Sequence, residues 1–344
     1  MQHGYGSLRI RNLRCIEKAD IKLNSFVIIA GYSGVGKSNV LRAAYLGARS
    51  CIVNGLFVEK LVYTLFFGRE NAIRRIDDSY MMPLVIEIEK SSKRCRIEFT
   101  LEDYTCSGSP PYTDAILVPG DYLAYLRLAY SLNLSKVSGV LDNKTVIALG
   151  AILGELAKLL RSHPMASLMD IFFDDVFRIV LGEEVGLGFT SGLVKALGEP
   201  GDRLFRELAE PLEHEDKCSK GLATISRKIL KERFLLKLLD RVPRNSIVAV
   251  ESIDPIVSKT LVRGVYEKVV EKNLTMLVTI DTGPLDDPIT ATIVRRYMSL
   301  IRRPLEEVLE KVVFYNMYFD EEKKMCWLEE VEARDVLMRG SYLG

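Results

Sequence analysis

The segment at residues 31–38 constrains this chain more than any other. It reads GYSGVGKS and fits the spacing GxxxxGK[ST]. Residues 26–30 before it form an apolar run, which is typical of a strand buried on both faces of a sheet. Residues 37–48 behind it repeat apolar side chains at helical spacing. A strand, a glycine-rich turn and a helix in this order predict an α/β fold with an anion-binding loop.

The residue types of this phosphate loop, residues 31–38, suit a polyphosphate. Glycines let backbone N–H groups and the helix N-terminus face the anion. The ammonium of Lys37 would neutralise the β and γ phosphates, and the Ser38 hydroxyl would ligate Mg²⁺. The alternative is an ordinary glycine-rich turn. We predict ATP and Mg²⁺ as ligands, with nucleotide contacts from Gly31, Tyr32, Ser33, Gly34, Val35, Gly36, Lys37, Ser38 and Asn39.

Composition narrows the class of protein. A chain of 344 residues has room for two or three domains, or for one large α/β unit with an insertion. Forty-seven Lys and Arg against 46 Asp and Glu give a net charge of +1, which supplies no field that recruits nucleic acid or an anionic membrane. The hydrophobic fraction of 48% supports a real core and excludes a mostly disordered chain.

Targeting and cysteine patterns predict a cytoplasmic protein. The first twelve residues are too polar for a signal peptide, and no later run reaches the roughly 18 apolar residues of a membrane-spanning helix. Six cysteines without CxxC spacing favour isolated thiols over disulfides or a zinc site. The only glutamine is Gln2, and a charged, amide-poor composition is typical of thermophile proteins.

Periodicity predicts one α/β core split by a helical lobe. The core would comprise residues 1–120, with the phosphate loop and a β-hairpin, and residues 241–344, with a C-terminal hairpin. Residues 121–240 show helical spacing, notably at 146–160 and 166–180. Strand patterns fall at residues 8–11, 20–23, 84–89, 95–101, 115–118, 247–250, 274–280, 312–319 and 325–328.

The N-terminal segment resembles a known family. LRIRNLRCIEKADIKLNSFVIIAGYSGVGKSNVLRAAYLG is similar to the opening of ABC-type P-loop ATPases of the SMC and RecF group, and most similar to small stand-alone prokaryotic and archaeal members labelled AAA-type core-domain ATPases. The resemblance covers both ends of the chain. It implies a mixed sheet with N-terminal antiparallel strands and an inserted helical lobe.

Residues 246–254, SIVAVESID, resemble the family's Walker B motif, an apolar strand that ends in acidic residues. Without a gap, Glu251 takes the place of the metal-side acid and Ser252 that of the catalytic glutamate. With a shift of one residue, Glu251 becomes the glutamate that polarises water, but Val250 then stands where the metal acid should be. The third alternative is a core strand that ends in a solvated acid. We favour Ser38 and Glu251 as metal ligands, with Glu251 and Ser252 as catalytic candidates.

Two further family motifs are matched only in part. KCSKGLATI at residues 217–225 resembles the signature loop, in which Ser219 and Gly221 would contact the γ-phosphate held by the other subunit. Ser219 acting only as a helix cap is the alternative. After the strand pattern at 274–280, Asp281 replaces the family's phosphate-sensing histidine. A carboxylate repels phosphate, so Asp281 is a catalytic candidate with a changed role, or only a loop cap.

The resemblance implies a nucleotide-driven switch. ATP would close a homodimer and slow hydrolysis would reopen it, which would signal to an unknown effector such as a nuclease or toxin-like protein. One alternative is a degenerate module that binds nucleotide without hydrolysis. Another is a RecF-like repair factor that binds DNA in an ATP-dependent way, although the net charge gives nucleic-acid binding no support. No membrane association is expected.

Overall fold

The computed structural model describes residues 6–53, 55–120, 122, 144–145, 164–182, 201, 203–204, 227–252 and 259–338. The chain divides into two compact units, one formed by Met1–Val118 with Pro243–Gly344 and the other by Pro119–Val242. Within the described ranges, no helix is both long enough and apolar enough to cross a bilayer.

The first unit contains all the strands that the described residues form. They are β1 (Gly6–Leu13), β2 (Ile16–Leu23), β3 (Phe26–Tyr32), β4 (Arg75–Ile76), β5 (Ser79–Tyr80), β6 (Leu84–Lys90), β7 (Lys93–Phe99), β8 (Tyr104–Gly108), β9 (Ala115–Val118), β10 (Ile247–Val250), β11 (Thr275–Ile280), β12 (Thr282–Gly283), β13 (Val312–Asp320) and β14 (Met325–Val331).

Helices occur in both units and are numbered here along the chain. The first unit has α1 (Lys37–Ser50), α2 (Gly55–Phe66), α3 (Arg69–Ala72), α6 (Lys259–Glu271), α7 (Pro288–Ile301), α8 (Leu305–Leu309) and α9 (Ala333–Met338). The second unit has α4 (Pro164–Leu181) and α5 (Arg227–Arg241). The predicted helix at 166–180 therefore corresponds to α4, and the one predicted at 146–160 lies outside the described residues.

One mixed sheet organises the first unit. Twelve of the described strands belong to it, in the order β8-β7-β6-β1-β2-β14-β13-β3-β11-β10-β9, and β12 pairs with β3 beside this path. The strands β9, β10, β11, β3 and β13 pair parallel in that order, and β14 pairs parallel with β2. The other pairs are antiparallel: β1 with β2 and β6, β6 with β7, β7 with β8, β13 with β14, and β12 with β3. The predicted fold class, α/β with a mixed sheet and N-terminal antiparallel strands, is confirmed.

Strand β3 is apolar because both faces of the sheet are covered. Ile28 and Ala30 join a buried cluster that includes Tyr266 and Phe314. Successive side chains of a strand point to opposite faces, so Val27 and Ile29 face the other side, where they are also buried. Because β3 is packed on both faces, its carboxyl end has a defined position, and the phosphate loop begins there.

Two disulfides correct the expectation of isolated thiols. Cys15 bonds to Cys326 across 311 residues of chain, and Cys51 bonds to Cys95 across 44. The expectation was wrong because spacing along the chain does not show which strands become neighbours. Strand β14 runs beside β2, and the N–H of Cys326 donates to the carbonyl of Cys15 at 2.7 Å. Cys218 lies outside the described residues.

Loss of the long-range disulfide is expected to destabilise the first unit. In Cys15→Ser, the unfolded chain is no longer closed by a loop of 311 residues, so its conformational entropy rises. We expect the free energy of unfolding to fall by about 2–5 kcal/mol, measured as a lower midpoint of urea denaturation. Cys106→Ser removes a free thiol and should leave the midpoint unchanged. Equal midpoints for wild type and Cys15→Ser would contradict a stabilising role.

Candidate functional site

Three neighbouring parallel strands end at the same edge of the sheet and carry the predicted residues there. The phosphate loop follows β3, Asp281 directly follows β11, and Glu251 directly follows β10. The carboxyl ends of parallel strands form the usual ligand-binding edge of an open α/β sheet. The topology therefore brings together residues that lie up to 250 positions apart in the sequence, from Gly31 to Asp281.

The phosphate loop turns sharply into α1 through two left-handed glycines. Gly34 has φ +86°, and Gly36, which occupies the N-cap position of α1, has φ +99°. No side chain caps the start of this helix. The first N–H groups of an α-helix have no partner within the helix, so an uncapped N-terminus of this kind suits an anion.

Close packing beneath the loop explains why glycine stands at positions 31 and 36. A Cβ on Gly36 would lie 2.9 Å from the Cys15 sulfur and 3.1 Å from the Cys326 sulfur. A Cβ on Gly31 would lie 2.5 Å from the Met317 carbonyl oxygen of β13. The Cys15–Cys326 disulfide and β13 therefore form the floor on which the phosphate loop rests.

Lys37 folds back over the loop that precedes it. Its Nζ donates to the carbonyls of Gly31 at 2.8 Å and Tyr32 at 2.6 Å. The same ammonium forms an ion pair at 2.8 Å with Oδ1 of Asp281. The Lys37 side chain is 3% exposed, whereas that of Asp281 is 42% exposed. The cation of the loop is thus buried and paired with an acid that reaches it from the solvent side.

Glu251 lies against α1 rather than in open solvent. Its Oε1 is 3.5 Å from Nε of Arg42, and the two side chains are 12% and 9% exposed. The backbone N–H of Glu251 donates to the Val118 carbonyl at 2.9 Å, which fixes the end of β10 beside β9. Arg42 also donates from Nη1 to the Leu65 carbonyl at 3.2 Å. Arg42 stands one helical turn after Ser38, so Glu251 reaches the first half of α1.

Ser252 occupies a strained turn at the same edge. Its φ is +53°, in the left-handed region that residues other than glycine rarely adopt. Its N–H donates to the Thr279 hydroxyl at 2.8 Å, which joins the end of β10 to β11. The residue itself is exposed. A strained backbone at the rim of a strand is a common feature of functional turns.

Two arginines near the loop were not among the predicted site residues. Besides Arg42, Arg14 in the β1–β2 turn donates from Nη1 to the Asn39 side-chain oxygen at 3.4 Å. Its guanidinium also stacks over the Phe66 ring at 5.5 Å. Burial, and secondarily the charge of Arg42, lowers the pKa of Arg14. Arg42 had a sequence signal, because it is a charged residue on an otherwise apolar stretch of α1.

The donor set at this edge suits Mg²⁺ rather than a soft metal. The candidates are the Ser38 hydroxyl and the Glu251 carboxylate, both hard oxygen donors, and Mg²⁺ is usually bound by a few protein oxygens together with phosphate and water. Ser38 is half-buried on the first turn of α1. Ser219 and Gly221, the predicted signature residues, lie outside the described residues.

Comparisons with known proteins find similar folds at low identity. An SMC head bound to the C-terminal winged-helix domain of ScpA has a TM-score of 0.46 at 12% identity, over 96% of this chain and 99% of that one. An SMC head domain from Thermotoga maritima has a TM-score of 0.43 at 11% identity, over 96% and 100%. The recombination mediator RecF with ATP has a TM-score of 0.40 at 9% identity, over 96% and 100%.

No family model matches the chain, and no curated protein matches it. Identities this low leave activity, ligand and partner to be inferred from the site itself.

Proposed function

We propose that this chain binds ATP with Mg²⁺ in the phosphate loop and hydrolyses the nucleotide slowly, as an ABC-type ATPase that resembles the SMC and RecF group. One observation carries the proposal. A glycine-bent loop joins a strand buried on both faces to an uncapped helix, and the Lys37 ammonium is held over that loop at 2.6–2.8 Å from its acceptors. This arrangement offers N–H groups and one buried cation to a polyphosphate.

In this proposal, Lys37 and the start of α1 contact the phosphates, and Ser38 and Glu251 contact the metal. Lys37 would exchange Asp281 and the loop carbonyls for phosphate oxygens, and α1 would present its N-terminal N–H groups to the same anion. The Ser38 hydroxyl and the Glu251 carboxylate would hold the metal, which when bound neutralises charge on the phosphates. In the other register, Glu251 orients the attacking water. Its contact with Arg42 keeps the carboxylate in one place in either register.

We extend the proposal to a switch. Two copies of the chain would enclose ATP between the phosphate loop of one and the Ser219 and Gly221 segment of the other. Closure on binding and opening after hydrolysis would signal to a protein effector, for which a nuclease or a toxin-like protein is our working candidate. Size-exclusion chromatography with light scattering, with and without ATP and Mg²⁺, tests whether the nucleotide drives dimerisation.

A second candidate function is nucleotide binding without turnover. Asp281 is paired with Lys37 at 2.8 Å, and Ser252, which has no acidic group, follows Glu251 in a left-handed turn. Because Asp281 occupies the Lys37 ammonium, such a site would bind nucleotide weakly and hydrolyse it slowly. This candidate predicts a magnesium-dependent binding signal with no phosphate release above background.

Glu251→Gln separates the two functions. Replacing the carboxylate with an amide removes the charge that would hold the metal or polarise the water, while its size is kept. We expect phosphate release to fall about 100-fold or more, as for other residues that stabilise developing charge. ATP binding, measured by thermal shift, should persist. The assay is steady-state phosphate release at elevated temperature.

Glu310→Gln is the matched control, because Glu310 is an exposed glutamate at the end of α8. It should release phosphate at the wild-type rate. If wild type and Glu251→Gln both bind ATP but neither exceeds background hydrolysis, the binding module is the correct function. If neither binds ATP, both candidate functions are wrong.

A further inference from the structure

Three cysteines meet at the far end of α1 from the phosphate loop. Cys51 follows the last residue of α1, Cys95 lies in β7 and Cys106 lies in β8. The sulfurs of all three lie within 4.8 Å of one another. The disulfide joins Cys51 to Cys95, and the Cys106 sulfur is 3.6 Å from that of Cys51.

The backbone places these cysteines together. In the β7–β8 ladder, Cys95 pairs with Gly108 and Ile97 pairs with Cys106. Side chains two residues apart on a strand share a face, so Cys106 lies on the same face of the sheet as Cys95. The end of α1 brings Cys51 against that face. The β7–β8 register and the end of α1 therefore bring the three cysteines together through the backbone, whatever rotamers their side chains adopt.

A disulfide needs two sulfurs, so the third requires its own explanation. Cys106 is exposed and borders an open cavity of about 520 Å³ that Cys51, Asp103 and Tyr104 also line. Partial burial raises the pKa of the Cys106 thiol. Among the described residues, this is the only group of three metal-ligating side chains so close together. In the part of the chain that the structure describes, the disulfide beneath the phosphate loop has no such third member.

We propose that, once the Cys51–Cys95 bond is reduced, Cys51, Cys95 and Cys106 bind one thiophilic divalent cation such as Zn²⁺. Thiolates about 2.3 Å from a tetrahedral Zn²⁺ lie roughly 3.8 Å apart, and the sulfurs of Cys51 and Cys106 are already 3.6 Å apart. The Cys51 and Cys95 sulfurs have to separate, and the Cys95 sulfur starts within 4.8 Å of that of Cys106. Cys51 and Cys106 both line the cavity, so water from it would supply the fourth ligand.

The chemistry balances with a phosphine reductant. The phosphine gives two electrons, the bond between the Cys51 and Cys95 sulfurs breaks, and one water supplies its oxygen to the resulting phosphine oxide and its two protons to the two thiols. The cation then displaces the thiol protons of its ligands, which go to the buffer.

Both states tie α1 to the sheet. The disulfide joins the end of α1 to β7, and the metal would join it to β7 and β8 together. The helix that begins at the phosphate loop therefore keeps a fixed C-terminal end in an oxidising or a reducing environment. This inference concerns the cysteines alone and does not depend on the proposed ATPase function.

The test is a zinc titration of the full chain. The protein is reduced with a phosphine, freed of reductant under argon and titrated with Zn²⁺, and the bound metal is counted by atomic emission after gel filtration. We expect about one Zn²⁺ per reduced chain and none per oxidised chain. Co²⁺ in place of Zn²⁺ should give the visible bands of tetrahedral thiolate coordination.

Cys106→Ser distinguishes the three-cysteine site from the disulfide alone. Cys106 is exposed, so this variant should fold, and near-ultraviolet circular dichroism checks that it does. We expect its affinity for Zn²⁺ to fall at least about tenfold. Cys218→Ser is the matched control and should keep the site.

Three outcomes would overturn the proposal. Reduced wild type could bind no Zn²⁺, Cys106→Ser could bind it as tightly as wild type, or Cys218→Ser could lose it. In the first case, peptide mapping of the unreduced protein shows which role the third sulfur has. If a Cys51–Cys106 disulfide is abundant and the reduced protein binds no metal, the third sulfur serves thiol–disulfide exchange instead.

Discussion

Lys37→Ala is expected to abolish magnesium-dependent ATP binding. The Lys37 ammonium is the buried cation of the phosphate loop, and its present acceptors are two carbonyls and one carboxylate. Hydrogen bonds to charged groups contribute roughly 1.5–3 kcal/mol each, so two such bonds to phosphate correspond to about 100-fold or more in affinity. The variant should therefore lose both nucleotide binding and phosphate release.

The measurement is the rise in melting temperature with ATP and Mg²⁺. A ligand present at 100 times its dissociation constant stabilises the folded state by about 2.7 kcal/mol, which is readily seen as a higher melting temperature. We expect that rise in wild type and in Lys18→Ala, which removes a lysine whose side chain is 66% exposed on β2. An equal rise in Lys37→Ala would remove the basis of the proposed function.

The local signals of the sequence were sufficient for the core elements. Strand β3, helix α1 and strands β10 and β11 each have a continuous apolar run or a clear helical period, so their positions were predictable. Strand β8 was missed because its sequence, YTCSG, is mostly exposed and has no apolar alternation. Helix α2 was missed because its apolar residues crowd around most of its circumference.

The contacts between these elements were not predictable in the same way. The pairs Lys37–Asp281 and Arg42–Glu251 depend on which strands become neighbours, and so do the two disulfides. A family pattern could place Asp281 where a histidine is usual, but it could not show that the acid turns toward Lys37. The sequence alone therefore offered Lys37, Glu251 and Asp281 as candidates, but it indicated neither Arg42 nor the partner that each of them contacts.

The Lys37–Asp281 pair gives the loop an internal anion. A phosphate that approaches Lys37 has either to displace the carboxylate or to lie beside it, and like charges at such a distance repel. Mg²⁺ reduces this repulsion because it neutralises phosphate charge. Asp281 should therefore weaken nucleotide binding most strongly when the metal is absent. Its 42% exposure keeps the effect moderate, since solvent screens exposed ion pairs.

Asp281→Asn is accordingly expected to tighten ATP binding. The amide can still contact Lys37 but carries no charge, so the competition with phosphate falls. We expect the dissociation constant for ATP without Mg²⁺ to decrease about tenfold, equivalent to 1.4 kcal/mol, and to decrease less with Mg²⁺ present. Isothermal titration calorimetry of the same protein with and without the metal measures both values.

Asp78→Asn is the control for this change, because the Asp78 side chain is 97% exposed in the β4–β5 hairpin. It should bind ATP as wild type does under both conditions. If Asp281→Asn binds ATP no more tightly than wild type without Mg²⁺, the carboxylate does not compete with phosphate. If phosphate release also collapses in Asp281→Asn while binding improves, Asp281 acts on the reaction as well as on the resting loop. The comparison therefore shows whether Asp281 only competes with phosphate for Lys37 or also takes part in hydrolysis.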